Sequence, residues 1–320
     1  MTAPAAMIET ALHSANALWP GASPILSILA PFHRDDPRPL LDDLAACFDG
    51  VADRSVELVL IDDGTPGEDL FNKVSERLRA FPAPCLAIRL ACNVGRASAR
   101  NQLLRQARGG YFLLLDADMS PNAPDFLKRY LDVIADGEAD MAFGGFTVAR
   151  APYTPKTAVH RAHSQRYDCL PARARGPQHV YTSNVLVRRA VMDVAPFDEA
   201  FVGWGWEDVD WGLRAQALSM RLVHIDNPAT HMGLDDCDVL LRKSASAAAN
   251  FQRLITKHPE ASRRWPARQA AELLQKLPGH HFARPLLRAV VHDRAGLMPM
   301  AVRIWALKLW RASHAAQALK

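Results

Sequence analysis

The stretch Tyr111-Phe-Leu-Leu-Leu-Asp116-Ala-Asp118-Met119-Ser120-Pro121 constrains this chain more than any other. Five uncharged residues run into two aspartates two positions apart, and Ser-Pro stops the run. A short apolar run bounded by a turn signal reads as a buried strand. Asp116 and Asp118 then stand at its carboxyl end, the edge at which open α/β sheets bind ligands. Two close carboxylates repel each other and are costly to desolvate unless a cation or hydrogen-bonding ligand sits between them. A divalent metal carrying a phosphate group satisfies that need. A solvated turn capping the next helix does so too.

The flanking sequence repeats the pattern. Ile25–Phe32 reads as a first strand running into Pro-Phe-His-Arg-Asp-Asp-Pro, and Leu40, Leu41, Leu44 and Phe48 recur at helical spacing. Val56–Ile61 is a second strand, ending in Asp62-Asp63-Gly64-Thr65-Pro66. A helical pattern follows at 68–80, then a third strand at Cys85–Ala91 ending in Asn93-Val94-Gly95. From Gly95 the composition turns helical until Gly109-Gly110. After the organising strand come a helix over 123–136 and a strand over 139–148. Strand and helix alternating in this way specify βαβ units and a mostly parallel sheet.

The rhythm breaks at 149–180, rich in Pro, Arg and His, which reads as a long surface loop. Strand character returns at 182–187. The segment Gly203-Trp204-Gly205-Trp206-Glu207-Asp208-Val-Asp210 is loop running into helix; acids in a first turn suit the helix dipole, and Asp210 and Arg214 form an i,i+4 pair. Short strands at 221–225 and before His231-Met232-Gly233 close this part. Residues 1–22 read as a loose arm or one short helix. Helices are expected near 235–257, 261–276, 281–292 and 299–317. The domain plan is therefore an arm (1–22), an α/β domain (23–235, in halves 23–120 and 121–235) and a helical extension (236–320).

Composition excludes several classes. With 49% hydrophobic and 22% charged residues the 320-residue chain reads as soluble and globular. A net charge of +4, spread over this length, does not imply nucleic-acid binding, and no nucleic-acid-reading motif occurs. Five scattered cysteines without a C-x-x-C suggest reduced thiols in a cytoplasmic setting. The first residues lack a signal peptide's basic start, and no apolar run is long enough to span a bilayer. G-x-G-x-x-G after a strand, the P-loop and the G-x-S-x-G elbow are all missing. What remains is acids at strand ends and a late His231 that could complete a metal site. Carboxylate oxygen with imidazole suits Mn²⁺, and a carboxylate-only site leans to Mg²⁺.

Taken in order, Ser27-Ile-Leu-Ala-Pro-Phe-His, Ile61-Asp-Asp-Gly-Thr, Asn93-Val-Gly-Arg-Ala-Ser-Ala-Arg-Asn101, Leu115-Asp-Ala-Asp118 and Trp206-Glu-Asp-Val-Asp210 resemble the family-2 glycosyltransferases with the GT-A fold. The resemblance covers roughly residues 25–235. Gly203–Asp210, with Arg214 after it, also resembles a segment of β-1,4-galactosyltransferases and chondroitin-type polymerases, departing from them at Trp206, where glycine is usual. The resemblance implies an inverting, metal-dependent glycosyltransferase of hexosyl-transfer type. Its donor would be a nucleotide-diphosphate sugar, taken as UDP-linked. Its acceptor would be a glycan or lipid-linked glycan in polysaccharide biosynthesis. It implies that Asp62 or Asp63 contacts the base, that Asn93 and Gly95 let the backbone lie close, and that Arg100 lies near the diphosphate. Asp116 approaches ribose and metal, Asp118 and His231 ligate the metal, and Trp204 offers a stacking face. Asp208, with Glu207 beside it, is catalytic, with Asp208 the base. Rival readings are a sugar-1-phosphate nucleotidyltransferase and a non-catalytic binding module on the same scaffold. The first needs a glycine-rich basic loop where this chain has Ala30-Pro31-Phe32-His33, and the second sits poorly with the retained acids. The basic tail, with Trp305 and Trp310 among Arg303, Lys308 and Arg311, reads as packed on the catalytic domain or as a peripheral contact at the inner face of the membrane.

Overall fold

The computed structural model describes residues 10–319 apart from 22, 50, 52–54 and 170–178. Its spine is four parallel strands, β2 (Leu26–Phe32), β3 (Val56–Asp62), β4 (Cys85–Leu90) and β5 (Tyr111–Leu115), lying in the order β4-β3-β2-β5. These runs are mostly apolar because both faces are covered, and the buried Glu57 among them accepts from Ser27 and Arg108. In register, Ile28 lies between Leu58 and Leu113. On one face Ile28, Leu58 and Leu113 pack on helices α1 (Arg38–Ala46), α2 (Asp69–Arg79) and α4 (Phe126–Asp136). On the other face Leu29, Val59 and Phe112 pack on α3 (Arg96–Gln106) and on Trp211. Because the four strands run parallel, the segments after Phe32, Asp62, Leu90 and Leu115 emerge along one edge. The order reverses between β2 and β5, so a crevice opens there.

Of the expected N-terminal arm or helix, residues 1–9 lie outside the described residues, and the described part holds strand β1 (Thr10–Ala15), antiparallel to β4. Without it β4 would be an open edge, with a row of unpaired N–H and C=O groups. Asn16, 6% exposed, completes the seal: its side chain donates to Ala83 O and accepts from Cys85 N–H.

The expected strand over 139–148 is two strands in two sheets. β7 (Met141–Phe143) joins the large sheet, and β8 (Phe146–Thr147) joins a small one with β6 (Met119–Pro121) and β11 (Ala229–His231). The break falls at Gly144, where a Cβ would stand 2.2 Å from the Tyr130 hydroxyl and 2.6 Å from Asn227 O. β9 (Asn184–Arg188) runs antiparallel between β5 and β7, and β10 (Leu222–His224) closes the far edge. The stretch read as a loop contains helix α5 (Ala158–Tyr167), which buries Ala158, Val159, His163 and Ser164 along one face; the rest of that expectation, 170–178, lies outside the described residues. Two further helices follow, α6 (Arg189–Val194) and α7 (Glu207–Ala217).

From Cys237 the chain is helical: α8 (Cys237–Ser246), α9 (Ala248–Lys257), α10 (Pro259–Ser262), α11 (Pro266–Gln275), a 3-10 turn (His280–Ala283), α12 (Arg284–His292) and α13 (Met300–Ala318). It packs on the sheet-bearing part: Val159 of α5 shares a core with Leu240, Leu287 and Leu307, and Phe201 with Leu213 and Leu254. Asp210 is fully buried and bound by Arg214 (2.8 Å), Lys257 (2.9 Å) and His258 (2.8 Å), so α7 and α9 are locked by charge. The basic and aromatic residues of the tail do not share one face. Trp305 is 60% exposed, whereas Trp310 donates its indole N–H to Leu241 O and Arg311 donates to Ser244 Oγ. Five residues of helix separate the two tryptophans by well over a right angle. Among the described residues no helix is long and apolar enough to cross a membrane.

Candidate active site

The first two loops at the sheet edge are welded together. Gly64 has φ +69°, and a Cβ there would lie 2.3 Å from Cys92 C and 2.4 Å from Asn93 N. Only glycine permits both the backbone conformation and the approach. Asp63 completes the join. Its carboxylate accepts from Val94 N–H (2.7 Å), Gly95 N–H (3.1 Å) and Asn93 Nδ2 (3.0 Å). Burial pushes its pKa up, against the pull of the Val94 and Gly95 N–H groups. Asp62 is fully buried; it accepts from Thr65 N–H (2.9 Å) and lies 3.5 Å from Arg89 Nε. Asp62 therefore shapes the turn and presents nothing to a base. Asp63 acts mainly by ordering the 93–95 loop, whose Asn93 is exposed.

Arg100 is 1% exposed and occupied on both sides. It donates to Asp116 Oδ1 (2.8 Å) and to Glu207 Oε1 (3.0 Å). It is thus a clamp between the end of β5 and the first turn of α7, not a cation free to meet a diphosphate. The same geometry engages one carboxylate oxygen of Asp116 and one of Glu207 with Arg100. Arg96 is the cation that sequence reasoning left without a role. It is exposed on the first turn of α3, and its charge pulls both Asp118 and Asp208 down. Nothing in the local sequence distinguishes Arg96 from Arg100; tertiary placement does.

Asp208 is the available carboxylate of the Glu-Asp pair. It is half-buried, whereas Glu207 is 3% exposed. Burial, then the neighbouring Glu207, push it up to about 7, against the pull of Arg100, its hydrogen bond from Val209 N–H and Arg96. The loop ahead of it is held by Asn250 of α9, which donates to Val202 O and Gly205 O, both at 3.0 Å. Trp204 lies half-buried in that loop. Trp206 has φ +76°, the left-handed region that glycine occupies freely, and its ring packs on Phe251 at 4.9 Å between centroids. The helical extension thus supports Trp206 in its left-handed conformation.

Asp118 and His231 meet across the small sheet, with Asp118 Oδ2 3.1 Å from His231 Nε2. Gly233 makes room: a Cβ there would lie 2.2 Å from Asp118 Oδ2. Burial opposes the charge on each. The mutual attraction outweighs it, holding the Asp118 carboxyl below its usual range and the His231 imidazole above its own. Among the described residues no group of three or more His, Cys, Asp or Glu is set to hold a metal. A carboxylate and an imidazole on adjoining backbone nevertheless fit a cation whose other ligands are phosphate oxygens and water, the usual way Mg²⁺-type ions sit in nucleotide sites.

Three further groups border this pair where sequence reading placed no site: His160 of α5, Lys243 of α8 and Asp235 in the loop before α8. His160 of α5 stacks edge-on to His231, 5.9 Å between centroids, and its Nδ1 accepts from Asp235 N–H at 2.8 Å. Burial, then the charge of His231, pull His160 down to about 4, so it stays neutral at pH 7. Lys243 of α8 holds Asp235 at 2.7 Å. His160 lies in the stretch read as loop, and so carried no helical signal.

Comparison with known proteins places this arrangement. The model of glycosyl transferase family 2 matches residues 27–194. No curated protein sequence matches the chain. Among solved structures, the mannosyltransferase PcManGT of Pyrobaculum calidifontis, in complex with GDP-Man and Mn²⁺, superposes with a TM-score of 0.59 over 95% of this chain and 89% of that one, at 15% identity. TarS 1-349 of S. aureus gives 0.54 over 92% and 90%, at 15% identity. Its complex with UDP-GlcNAc gives 0.53 over 92% and 90%, at 16% identity. The likeness at this identity is one of fold: a central mixed sheet flanked by helices, with a helical C-terminal region.

Proposed function

The chain belongs to glycosyl transferase family 2 and is a glycosyltransferase, and on that premise we propose that it moves a sugar, with inversion, from a nucleotide-diphosphate donor to a glycan or lipid-linked glycan hydroxyl. The observation that carries the reading is the separation of labour between Glu207 and Asp208. Glu207 is committed to Arg100, which leaves Asp208 half-buried, next to the crevice and titrating near neutrality. A carboxylate tuned upward toward the working pH is a better general base than one at its ordinary value.

In this reading Asp208 accepts the proton of the acceptor hydroxyl as its oxygen attacks the anomeric carbon. One C–O bond forms as the bond to the diphosphate breaks on the opposite face. Arg96 opposes the charge that develops on the leaving diphosphate, and Arg100 keeps the two acidic segments at fixed separation. The 63–65 and 92–95 loops form the bed for the nucleotide base, and Trp204 offers an apolar face to a sugar. Asp118 and His231 would hold a divalent cation, Mn²⁺ or Mg²⁺. When bound, that ion supplies positive charge opposite the diphosphate. Structural relatives solved with UDP-GlcNAc and with GDP-Man and Mn²⁺ support this donor class. UDP is our choice of nucleotide.

The test is Asp208→Asn. Nucleotide binding, read by calorimetry, should persist within a few-fold, while transfer from the bound donor falls by about 10²–10⁴. Unchanged transfer would remove Asp208 as the base.

A further inference from the structure

Beyond the donor site, the helical extension carries an exposed apolar segment that packing leaves open. From Ala295 to Val302 the chain reads Ala-Gly-Leu-Met-Pro-Met-Ala-Val, without a charge, and all of it is exposed except a half-buried Met300. Leu297 is 77% exposed, Met298 43% and Val302 39%; Trp305, one turn further along α13, is 60% exposed. Phe282 and Leu286, one turn apart ahead of this segment, are exposed as well, at 80% and 67%. Isolated exposed apolar residues need no explanation, but a continuous run marks an interaction surface.

The segment is also preformed. Asp293 sits at φ +43°, and its two carboxylate oxygens accept from Leu297 N–H (2.9 Å) and Met298 N–H (3.1 Å). The apolar tip is therefore presented by a closed turn, and little conformational freedom is left to lose on docking.

Charge decides the occupant. From Leu273 to Lys320 the sequence holds eight lysines and arginines and one acid, Asp293. That acid is spent on its own turn. Arg294 borders the apolar run and is exposed; Lys308, further along α13, is exposed with its Nζ over the Tyr167 ring, 3.5 Å from the centroid. An uncharged tip with a tryptophan at its base and a cation beside it matches a bilayer interface rich in anionic headgroups. We infer that the Ala295–Val302 segment with Trp305 docks the protein on an anionic membrane surface, the tip entering the headgroup region and Arg294 meeting lipid phosphates. It lies on the membrane, since no described helix can cross it. The inference stands apart from the donor and acceptor assignments, because its readout is binding and not transfer.

The experiment sediments the full chain with vesicles of phosphatidylcholine alone or mixed with phosphatidylglycerol. Binding is expected to the mixed vesicles, weakening with salt, and little to the neutral ones. The double substitution Leu297→Asp/Met298→Asp should lower partitioning at least about tenfold, and Arg294→Ala about fivefold. Both variants should keep the parent melting temperature, because the altered side chains are exposed. No binding of the full chain to mixed vesicles, or binding unchanged by the double substitution, overturns the inference. So does a dimer, seen by light scattering without vesicle binding and dissolved by the same substitution, which would assign the face to a second copy.

Discussion

Replacing Arg100 by methionine tests how the two acidic segments of the site are held. The side chain is buried and donates to Asp116 at 2.8 Å and to Glu207 at 3.0 Å. Methionine fills comparable volume but leaves two carboxylates facing each other without a cation. Removing one partner of a buried ion pair typically costs about 3–5 kcal/mol, mostly the penalty of the charge left behind. An unfolding entropy of about 2.1 cal/mol/K per residue comes to about 0.7 kcal/mol/K for a chain of this size, so Tm should drop by about 4–7 °C. Adding Asp116→Asn and Glu207→Gln should restore most of it, since the uncompensated charges are then gone. Differential scanning calorimetry at pH 7 reads both effects. A Tm within about 1 °C of the parent, or a loss that persists in the triple variant, would refute the clamp.

Other outcomes follow from the same geometry. Below about pH 7 Asp208 becomes protonated, so log kcat/KM for transfer should fall with unit slope as pH drops through that value and level off above it; a profile flat from pH 5 to 8 would contradict the assignment. In Arg100→Met the same limb should move to higher pH, because Arg100 pulls Asp208 down. Gly64→Ala puts a methyl 2.3–2.4 Å from the backbone of Cys92 and Asn93 at a φ unsuited to alanine, and should cost about 2–4 kcal/mol in urea unfolding while weakening nucleotide binding. Gly233→Ala meets the Asp118 carboxylate instead; calorimetric titration with Mn²⁺ in the presence of nucleotide should show weakened metal binding, with Tm nearly unchanged.

Much of the fold is legible in the sequence because the parallel strands are continuous apolar runs ended by turn residues. β2 to β5 and the helices between them lie within a residue or two of the expected ranges, and Asp116 and Asp118 stand at the strand end where apolar run meets turn. The failures are tertiary. β1 has six residues, and what makes it a strand is the open edge of β4. The break at Gly144 exists because Tyr130 and Asn227, distant in sequence, crowd that spot. α5 is hidden in a Pro- and Arg-rich stretch and is fixed by packing against the C-terminal helices. At the site, the chain order of motifs brings Asp118, His231 and Asp208 into view, but not which acids are already spent. Asp62, Asp116 and Glu207 read only as site acids in one dimension; in three, Asp62 also accepts from Thr65, and Asp116 and Glu207 each accept from Arg100. Arg96 and His160 carry no local signal at all.

The most direct measurement is thermal unfolding of the parent chain and of Asp118→Ala with UDP, GDP, CDP and ADP, each with Mn²⁺ and with EDTA. At about 100 times Kd a ligand adds roughly 2.7 kcal/mol, which is about 4 °C for this size of chain. The expected result is a shift with a uridine nucleotide that needs the metal and vanishes in Asp118→Ala. A shift with another nucleotide would keep the site and change the donor. No metal-dependent shift with any nucleotide would contradict a donor site built on Asp118 and His231.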